Sequence, residues 1–329
     1  MILNSKVTLG FFPTPFHKLE NLSKRYEGYE IFIKRDDQTG LASGGNKTRK
    51  LEYLLFEAID KGANTIITSG AQQSNHCRQT AAACAQLGLE CHLLLGGKEP
   101  KNYEGNLLLS KLLGATIHFA GEQRKGEGEN QLKTELEANG NNCYVVPYGG
   151  SNLTGAFGFI NAVKELKKQL IEQNLQIDYL FFASSSGGMQ AGLTLGNDLF
   201  ELNSTLIPIR IDKENFRGKA LEHQVLSIVN EGYSKLNIES KQTLETVALD
   251  HNYDDQGYGV VTDNELKAIE VLAKEEGILL DPVYTARAFY GMLDYLDQGK
   301  IPPSSNVLFW HTGGFPALFS KLSKSVTNH

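Results

Sequence analysis

Four cysteines in 329 residues (Cys77, Cys84, Cys91 and Cys143) form no C-x-x-C pair, so the sequence offers neither a disulfide framework nor a zinc site, and no metal is expected. They read as free thiols of a reducing cytosol. No apolar run approaches the roughly 20 residues that cross a bilayer, which argues against a membrane role. The opening residues Met1-Ile2-Leu3-Asn4-Ser5-Lys6 lack the basic-then-apolar order of an export signal, so a cytoplasmic location is expected. Positive charge is also in short supply: 32 Lys and Arg against 38 Asp and Glu give a formal net charge of -6. Without a basic stripe a nucleic-acid partner has no electrostatic support. Internal repeats and low-complexity linkers are missing too. What is present, 41% hydrophobic and 21% charged residues, describes an ordinary globular chain. Its length suits two domains of roughly 100–200 residues each.

Short apolar strands alternate with helices along most of the chain, the pattern of parallel sheets covered by helices on both faces. Strands are expected at 30–34, 65–70, 91–95, 116–120, 143–146, 177–183, 206–211 and 306–311. Helices are expected after Lys47 and at 74–87, 105–113, 130–138, 153–173, 189–202, 215–230, 263–274, 284–296 and 316–322. Pro13 and Pro15 keep the segment 11–24 extended before a short helix. The loop Gly121 to Gly128 is expected to be mobile. Two α/β layers leave a cleft between them, at the carboxyl ends of the strands, and a ligand belongs there.

Three stretches could carry chemistry. Ser43-Gly44-Gly45-Asn46-Lys47-Thr48-Arg49-Lys50 opens a helix with Leu51, Leu54, Leu55, Ala58 and Ile59 on its buried face and a stop at Gly62. A lysine in the first helical turn meets the positive end of the helix dipole, which favours the neutral, nucleophilic amine. The competing reading is a solvated lysine among basic neighbours. Gly70-Ala71-Gln72-Gln73-Ser74-Asn75-His76 joins a strand to a helix, where Ser74 and Asn75 suit an N-cap and a helix N-terminus attracts anions. Ser184-Ser185-Ser186-Gly187-Gly188-Met189 makes a similar turn, whose small residues let backbone amides converge on an anion or permit tight packing. It lacks the P-loop lysine and the dinucleotide spacing, so a monophosphate fits better than a nucleotide.

A helix-opening lysine and a monophosphate cup on another layer together suggest pyridoxal phosphate, which needs a Schiff-base lysine, a phosphate grip, a donor at its ring oxygen and a partner for its ring nitrogen. The runs Lys34-Arg35-Asp36-Asp37, Gly44-Gly45-Asn46-Lys47-Thr48-Arg49-Lys50, Ser74-Asn75-His76, Pro147-Tyr148-Gly149-Gly150-Ser151-Asn152, Gly187-Gly188-Met189-Gln190-Ala191-Gly192, Leu280-Asp281-Pro282-Val283-Tyr284-Thr285 and His311-Thr312-Gly313-Gly314 carry a resemblance over nearly the whole chain. With them the sequence resembles the fold-type II pyridoxal-phosphate enzymes, within these the family of 1-aminocyclopropane-1-carboxylate deaminase and D-cysteine desulfhydrase, and is closer to the desulfhydrases.

The resemblance implies two three-layer α/β/α domains with mostly parallel twisted sheets, as in the tryptophan-synthase-β fold. The large cofactor-binding domain would comprise residues 1–51 plus 164–329 and the small one 52–163, with the active site between them. Lys47 is implied as the Schiff-base lysine and proton carrier. Asn46, Asn75 and Thr312 would contact the cofactor, Asn75 at its ring oxygen, and Ser185, Ser186, Gly187, Gly188 and Met189 would hold its phosphate. Ser74, Asn75 and His76 would receive the substrate, Ser74 beside Cα and the carboxylate, while Tyr258 and Tyr284 flank the leaving group. The family has glycine where this chain has Ser185 and threonine where it has Met189, so the cup leans on backbone amides. A small amino-acid substrate and a homodimer complete what the resemblance implies.

Two further positions bear on the reaction. The cyclopropane deaminases carry glutamate and leucine where this chain has Thr285 and Thr312; the desulfhydrases carry small hydroxyl residues. A neutral hydroxyl near the pyridine nitrogen makes a weaker electron sink than a carboxylate does. That suits β-elimination from D-cysteine to pyruvate, ammonia and hydrogen sulfide better than carbon–carbon cleavage. The alternatives are deamination of the cyclopropane amino acid, and elimination or racemisation of another small D-amino acid. A non-catalytic small-molecule binding protein is the alternative from a different class. Cys77 is expected to be a packed thiol, Trp310 core, His311 a strand-end residue shaping its loop, and Asp36 and Asp37 structural. Arg78 and Tyr103 are secondary candidates for substrate contact.

Overall fold

Residues 5–212, 218–240 and 242–321 are described by the structure, a computed structural model. The chain begins with β1 (Phe16–Lys18), α1 (Glu20–Arg25), β2 (Glu30–Arg35) and α2 (Lys47–Asp60). It continues through β3 (Thr65–Gly70), α3 (Asn75–Leu87), β4 (Glu90–Leu95), α4 (Gly105–Leu112), β5 (Thr116–Phe119), α5 (Glu129–Ala138) and β6 (Cys143–Val145). A second series follows: α6 (Leu153–Glu172), β7 (Tyr179–Ser184), α7 (Gly188–Leu199), β8 (Thr205–Arg210), α8 (Leu221–Leu236), α9 (Asp263–Glu276), α10 (Thr285–Asp297), β9 (Asn306–His311) and α11 (Leu318–Lys321). The helix expected from Asn215 therefore begins at Leu221, and residues 215–217, like Leu322 and residues 1–4, lie outside the described part.

The strands form two sheets, in the orders β5-β4-β3-β6 and β1-β2-β9-β7-β8. All pairings are parallel except that of β1 with β2. Parallel strands connected by helices are covered on both faces, so they read as near-continuous apolar runs; all six residues of β3 and the last five of β9 are buried. The first sheet is built from one continuous stretch of chain. The second pairs β2 with β9, from opposite ends of the sequence, and so closes around the rest. Among the described residues no helix is long and apolar enough to cross a membrane, and no group of three or more metal-ligating side chains is found. All four cysteines are buried and free.

Leu51, Leu54, Leu55 and Ala58 of α2 are fully buried, as their spacing predicts, but Ile59 is 42% exposed. The buried stripe runs in the other direction, toward the N-terminus, through Lys50 and Lys47. The helix face that anchors in apolar packing thus delivers Lys47 to the cleft and keeps Lys50 buried behind its lining.

Close helix contacts hold α2, α6 and α7 together. A Cβ on Gly158 would stand 2.3 Å from the Arg49 carbonyl oxygen, and one on Gly192 2.5 Å from the Ala156 carbonyl oxygen. Gly158→Ala is expected to cost about 1–3 kcal/mol of stability by overpacking. The readout is a lower urea midpoint at unchanged slope.

Beneath this contact lies a buried ion cluster. Arg49 donates to both oxygens of Asp36 at 2.8 Å and to Glu165 at 3.0 Å, and the Trp310 indole donates to Asp36 at 2.9 Å. Lys34, with a fully buried side chain, pairs with Glu165. Asp36 is therefore structural and Trp310 core, as expected. The loop 121–128, expected to be mobile, is tied across the molecule: Arg124 and Lys125 pair with Asp212 at 2.9 and 3.1 Å.

Candidate active site

Three strands, β3, β7 and β9, end at the same cleft and pass into turns that carry Ser74, Ser185 to Gly187, and Thr312. The cleft lies where these three turns converge. Of the residues singled out by sequence, Asn46, Lys47, Ser74, Asn75, His76, Ser185, Ser186, Gly187, Met189, Tyr258, Tyr284 and Thr312 line it. Gly188 and Thr285 do not. Among the described residues lining the cleft, none is Asp or Glu.

Lys47, half-buried, is the first residue of α2. Burial lowers its pKa to about 8, against a hydrogen bond with Lys50 that raises it. Burial thus favours the neutral amine, in the same direction as the helix dipole. Lys50 is fully buried and pushed well below the usual lysine range, first by burial and then by Lys47. Its Nζ donates to the Gly149 carbonyl and to Ser151 Oγ, each at 3.0 Å. Both acceptors are neutral, so an anion arriving beside the two amines would favour their protonated forms and be held by them. In the protein alone, the rate at which Lys47 condenses with an added aldehyde is expected to level off above pH about 8. The check is the pH profile of the reduced adduct at Lys47, by mass spectrometry; a plateau only near the ordinary lysine value of about 10.4 would contradict it.

Ser74 Oγ caps α3 by accepting from the Cys77 amide at 3.2 Å while also facing the cleft, so the cap and site readings coexist. Cys77 is packed, with burial pushing its thiol up to about 12. His76 has a determined tautomer. The Thr68 hydroxyl donates to the Val146 carbonyl at 2.8 Å, so it accepts from His76 Nε2–H at 3.0 Å. Nδ1 is left as a buried acceptor without a hydrogen-bond partner among the described residues. Burial, then Lys47 and Lys50, keep this imidazole neutral far below its ordinary pKa.

At the serine-glycine turn Gly187 adopts φ 82°, a left-handed conformation that favours glycine. Ser151 Oγ donates to Ser186 Oγ at 2.7 Å and accepts from the Gly188 amide at 3.2 Å, which turns that amide away from the cleft. Met189 Sδ accepts from Asn46 Nδ2 at 3.3 Å. A Cβ on Gly149 would lie 2.4 Å from Ser186 Oγ, so the 148–150 turn and the cup fit only without one.

Opposite stand two tyrosines. The Tyr258 and Tyr284 hydroxyls are 2.6 Å apart. Burial raises both phenols: Tyr258 to about 12, with Tyr284 and Arg124 pulling it back, and Tyr284 well above 10. The Arg124 guanidinium lies 4.5 Å over the Tyr258 ring. Thr285 turns inward instead, its hydroxyl donating to Asp281 Oδ1 at 2.8 Å and its amide to the same oxygen at 2.7 Å. His311 bridges its loop, with Nδ1 accepting from the Gly313 amide at 3.1 Å and Nε2 set 3.0 Å from the Leu279 carbonyl. Arg78 is buried and donates to the carbonyls of Ala42 and Gly44, so it holds the turn before Lys47. The Tyr103 hydroxyl bonds Glu99, away from the cleft lining.

Sequence reasoning missed Lys50, Tyr148, Ser151 and Arg124. Lys50 carried a signal, three residues from Lys47 on one helix face. Tyr148 and Ser151 stood within a quoted run without a role, and nothing local marks Arg124.

Residues 7–313 match the family described as pyridoxal-phosphate dependent enzyme. The chain is 40% identical over 314 residues to a D-cysteine desulfhydrase of Klebsiella pneumoniae (strain 342), a match spanning 94% of this chain and 93% of that protein. It is similar to a crystal structure of an ACC deaminase homologue, with TM-score 0.89, 34% identity and coverage of 98% and 96%. The processed form of threonine deaminase isoform 2 from Solanum lycopersicum shares the fold at TM-score 0.68 and 18% identity, over 99% of this chain and 85% of that one.

Proposed function

This chain belongs to the pyridoxal-phosphate dependent enzymes, and on that premise we propose that its cleft carries out β-elimination on D-cysteine, giving pyruvate, ammonia and hydrogen sulfide. Its cofactor is pyridoxal 5'-phosphate. The residues present suit that group: a half-buried amine of lowered pKa, a second amine whose two oxygen acceptors are neutral, and a turn at the start of α7 shaped by Gly187. When bound, the cofactor withdraws electron density from the substrate's Cα and acidifies its proton.

In this reading Lys47 anchors the cofactor and then, as a free amine, takes the Cα proton; a base near pH 8 is well matched to that task. Ser185, Ser186, Gly187 and Met189 would hold the phosphate, with Lys50 behind them, while Gly188 supports the cup through Ser151. Asn46 steadies Met189, and Asn75 would donate to the ring oxygen. Ser74 and Asn75 would receive the substrate carboxylate, whereas the His76 side chain, with Nε2–H engaged by Thr68 and Nδ1 an acceptor, has no donor left for it. Tyr258 and Tyr284 keep their protons because burial raises both phenols, so their hydroxyls would be available to hydrogen-bond the departing sulfur.

The observation that carries the choice of reaction is the absence of Asp and Glu among the described residues lining the cleft. Thr312 lines the cleft and Thr285 is bonded to Asp281 outside the lining, so a pyridine nitrogen there would meet no carboxylate among the described lining residues. Such a sink suffices when the leaving group is a thiolate. We take residues 1–51 plus 164–329 as the large domain and 52–163 as the small one, both boundaries falling inside the paired helices α2 and α6. The working unit is a cytoplasmic homodimer.

The test is a parallel assay of purified enzyme with D-cysteine, L-cysteine and 1-aminocyclopropane-1-carboxylate. Sulfide from D-cysteine is expected at a rate well above that of either other substrate. Keto acid released from the cyclopropane amino acid at a comparable rate would favour the deaminase reading, which the similarity to an ACC deaminase homologue keeps as the second one.

A further inference from the structure

Asn106, the second residue of α4, is fully buried outside the cleft lining. Its Nδ2 donates twice, to the Gln73 backbone carbonyl at 3.0 Å and to Asn75 Oδ1 at 2.8 Å. Its own amide N–H donates to Gln73 Oε1 at 2.9 Å, and Gln73 Nε2 donates to the Glu104 carbonyl at 3.0 Å. A backbone carbonyl can only accept, so the Asn106 amide has one allowed orientation. That orientation propagates: with Oδ1 held by Asn106, Asn75 must present Nδ2 on its other side. A Cβ on Gly314, in the turn that follows Thr312, would stand 2.6 Å from this Nδ2.

The arrangement has a cost that the fold alone does not explain. Asn106 Oδ1 is buried without a hydrogen-bond partner among the described residues, a penalty of the kind an apolar residue of similar shape would avoid.

We propose that Asn106 is a positioning residue whose two-pronged hydrogen bond orients the Asn75 side chain so that it donates to the cofactor ring oxygen. The proposal rests on the reading of Asn75 as that donor. Asn106→Asp puts carboxylate oxygen where Nδ2 was, so Asn75 reverses to donate to it and turns its own oxygen toward the cofactor. Asn106→Leu keeps the shape and removes the bias, leaving Asn75 free to adopt either orientation.

The experiment measures binding of pyridoxal phosphate to cofactor-free protein by equilibrium dialysis. The wild type, both Asn106 variants, Asn75→Ala and the double variant Asn75→Ala/Asn106→Asp are compared, with thermal melting as a check on folding. Affinity is expected to fall by at least about tenfold in Asn106→Asp and by less in Asn106→Leu. In the Asn75→Ala background, Asn106→Asp is expected to cause no further loss. Equal losses with and without the Asn75 side chain would mean that Asn106 acts through the fold, and would overturn the proposal. Unchanged affinity in Asn75→Ala would instead remove the premise, showing the ring-oxygen reading itself to be wrong. Should Asn106→Asp fail to fold, wild-type affinity in a folded Asn106→Leu variant would equally overturn it.

Discussion

Lys47→Ala is expected to abolish turnover, by at least about 10⁴-fold, and to remove the visible absorbance band of the bound cofactor at the same time. Both losses follow from one amine serving as anchor and base. No nearby group offers a replacement: burial, then Lys47 and Lys50, press His76 well below the ordinary imidazole range and leave it a weak base, and Lys50 is held by Gly149 and Ser151 outside the cleft lining. The variant should fold normally, because the buried stripe of α2 below Lys47 is unchanged and alanine suits a first helical turn. Circular dichroism separates this result from unfolding. A folded variant that retained both absorbance and sulfide production would refute the assignment of Lys47.

Glu165→Leu is expected to produce the largest loss of stability. Glu165 receives Lys34 and Arg49 together, and both cations are buried. Removing one member of such a cluster leaves an uncompensated charge at about 3–5 kcal/mol, a fall in melting temperature on the order of 10 °C. Burial by itself would raise the Glu165 pKa; Arg49 and then Lys34 overcome it and hold the carboxylate down to about 2. A carboxylate depressed in the folded state stabilises fully above its unfolded value, about 4.3. That contribution fades as pH falls from there through about 2. Wild-type stability should therefore drop through this window more steeply than that of the variant, measured as urea midpoint against pH. Parallel curves would show that Glu165 is not the group being titrated.

Local signals were read well where the cause is itself local. The α2 stripe, its stop at Gly62 with φ 76°, the Ser74 cap and the strand-turn-helix at Ser184 to Met189 all follow from periodicity or capping within a few residues. Ile59 was misplaced because spacing alone does not say where a buried stripe ends. Thr285 carried the right chemistry for the cleft, yet it faces Asp281, since the turn Asp281-Pro282-Val283-Tyr284 requires a cap for its amides.

What the sequence determined by itself was the alternation of strands and helices and the chemistry of each turn, because propensity and period act over neighbouring residues. Only the tertiary structure decided which turns share a cleft, that Lys50 reaches Ser151 across 101 positions, that Arg124 covers Tyr258, and that Asn106 orients Asn75. Those outcomes depend on burial and on the pairing of β2 with β9, and neither leaves a mark in a short stretch of residues. The same burial turns an ordinary lysine into a base near neutral pH.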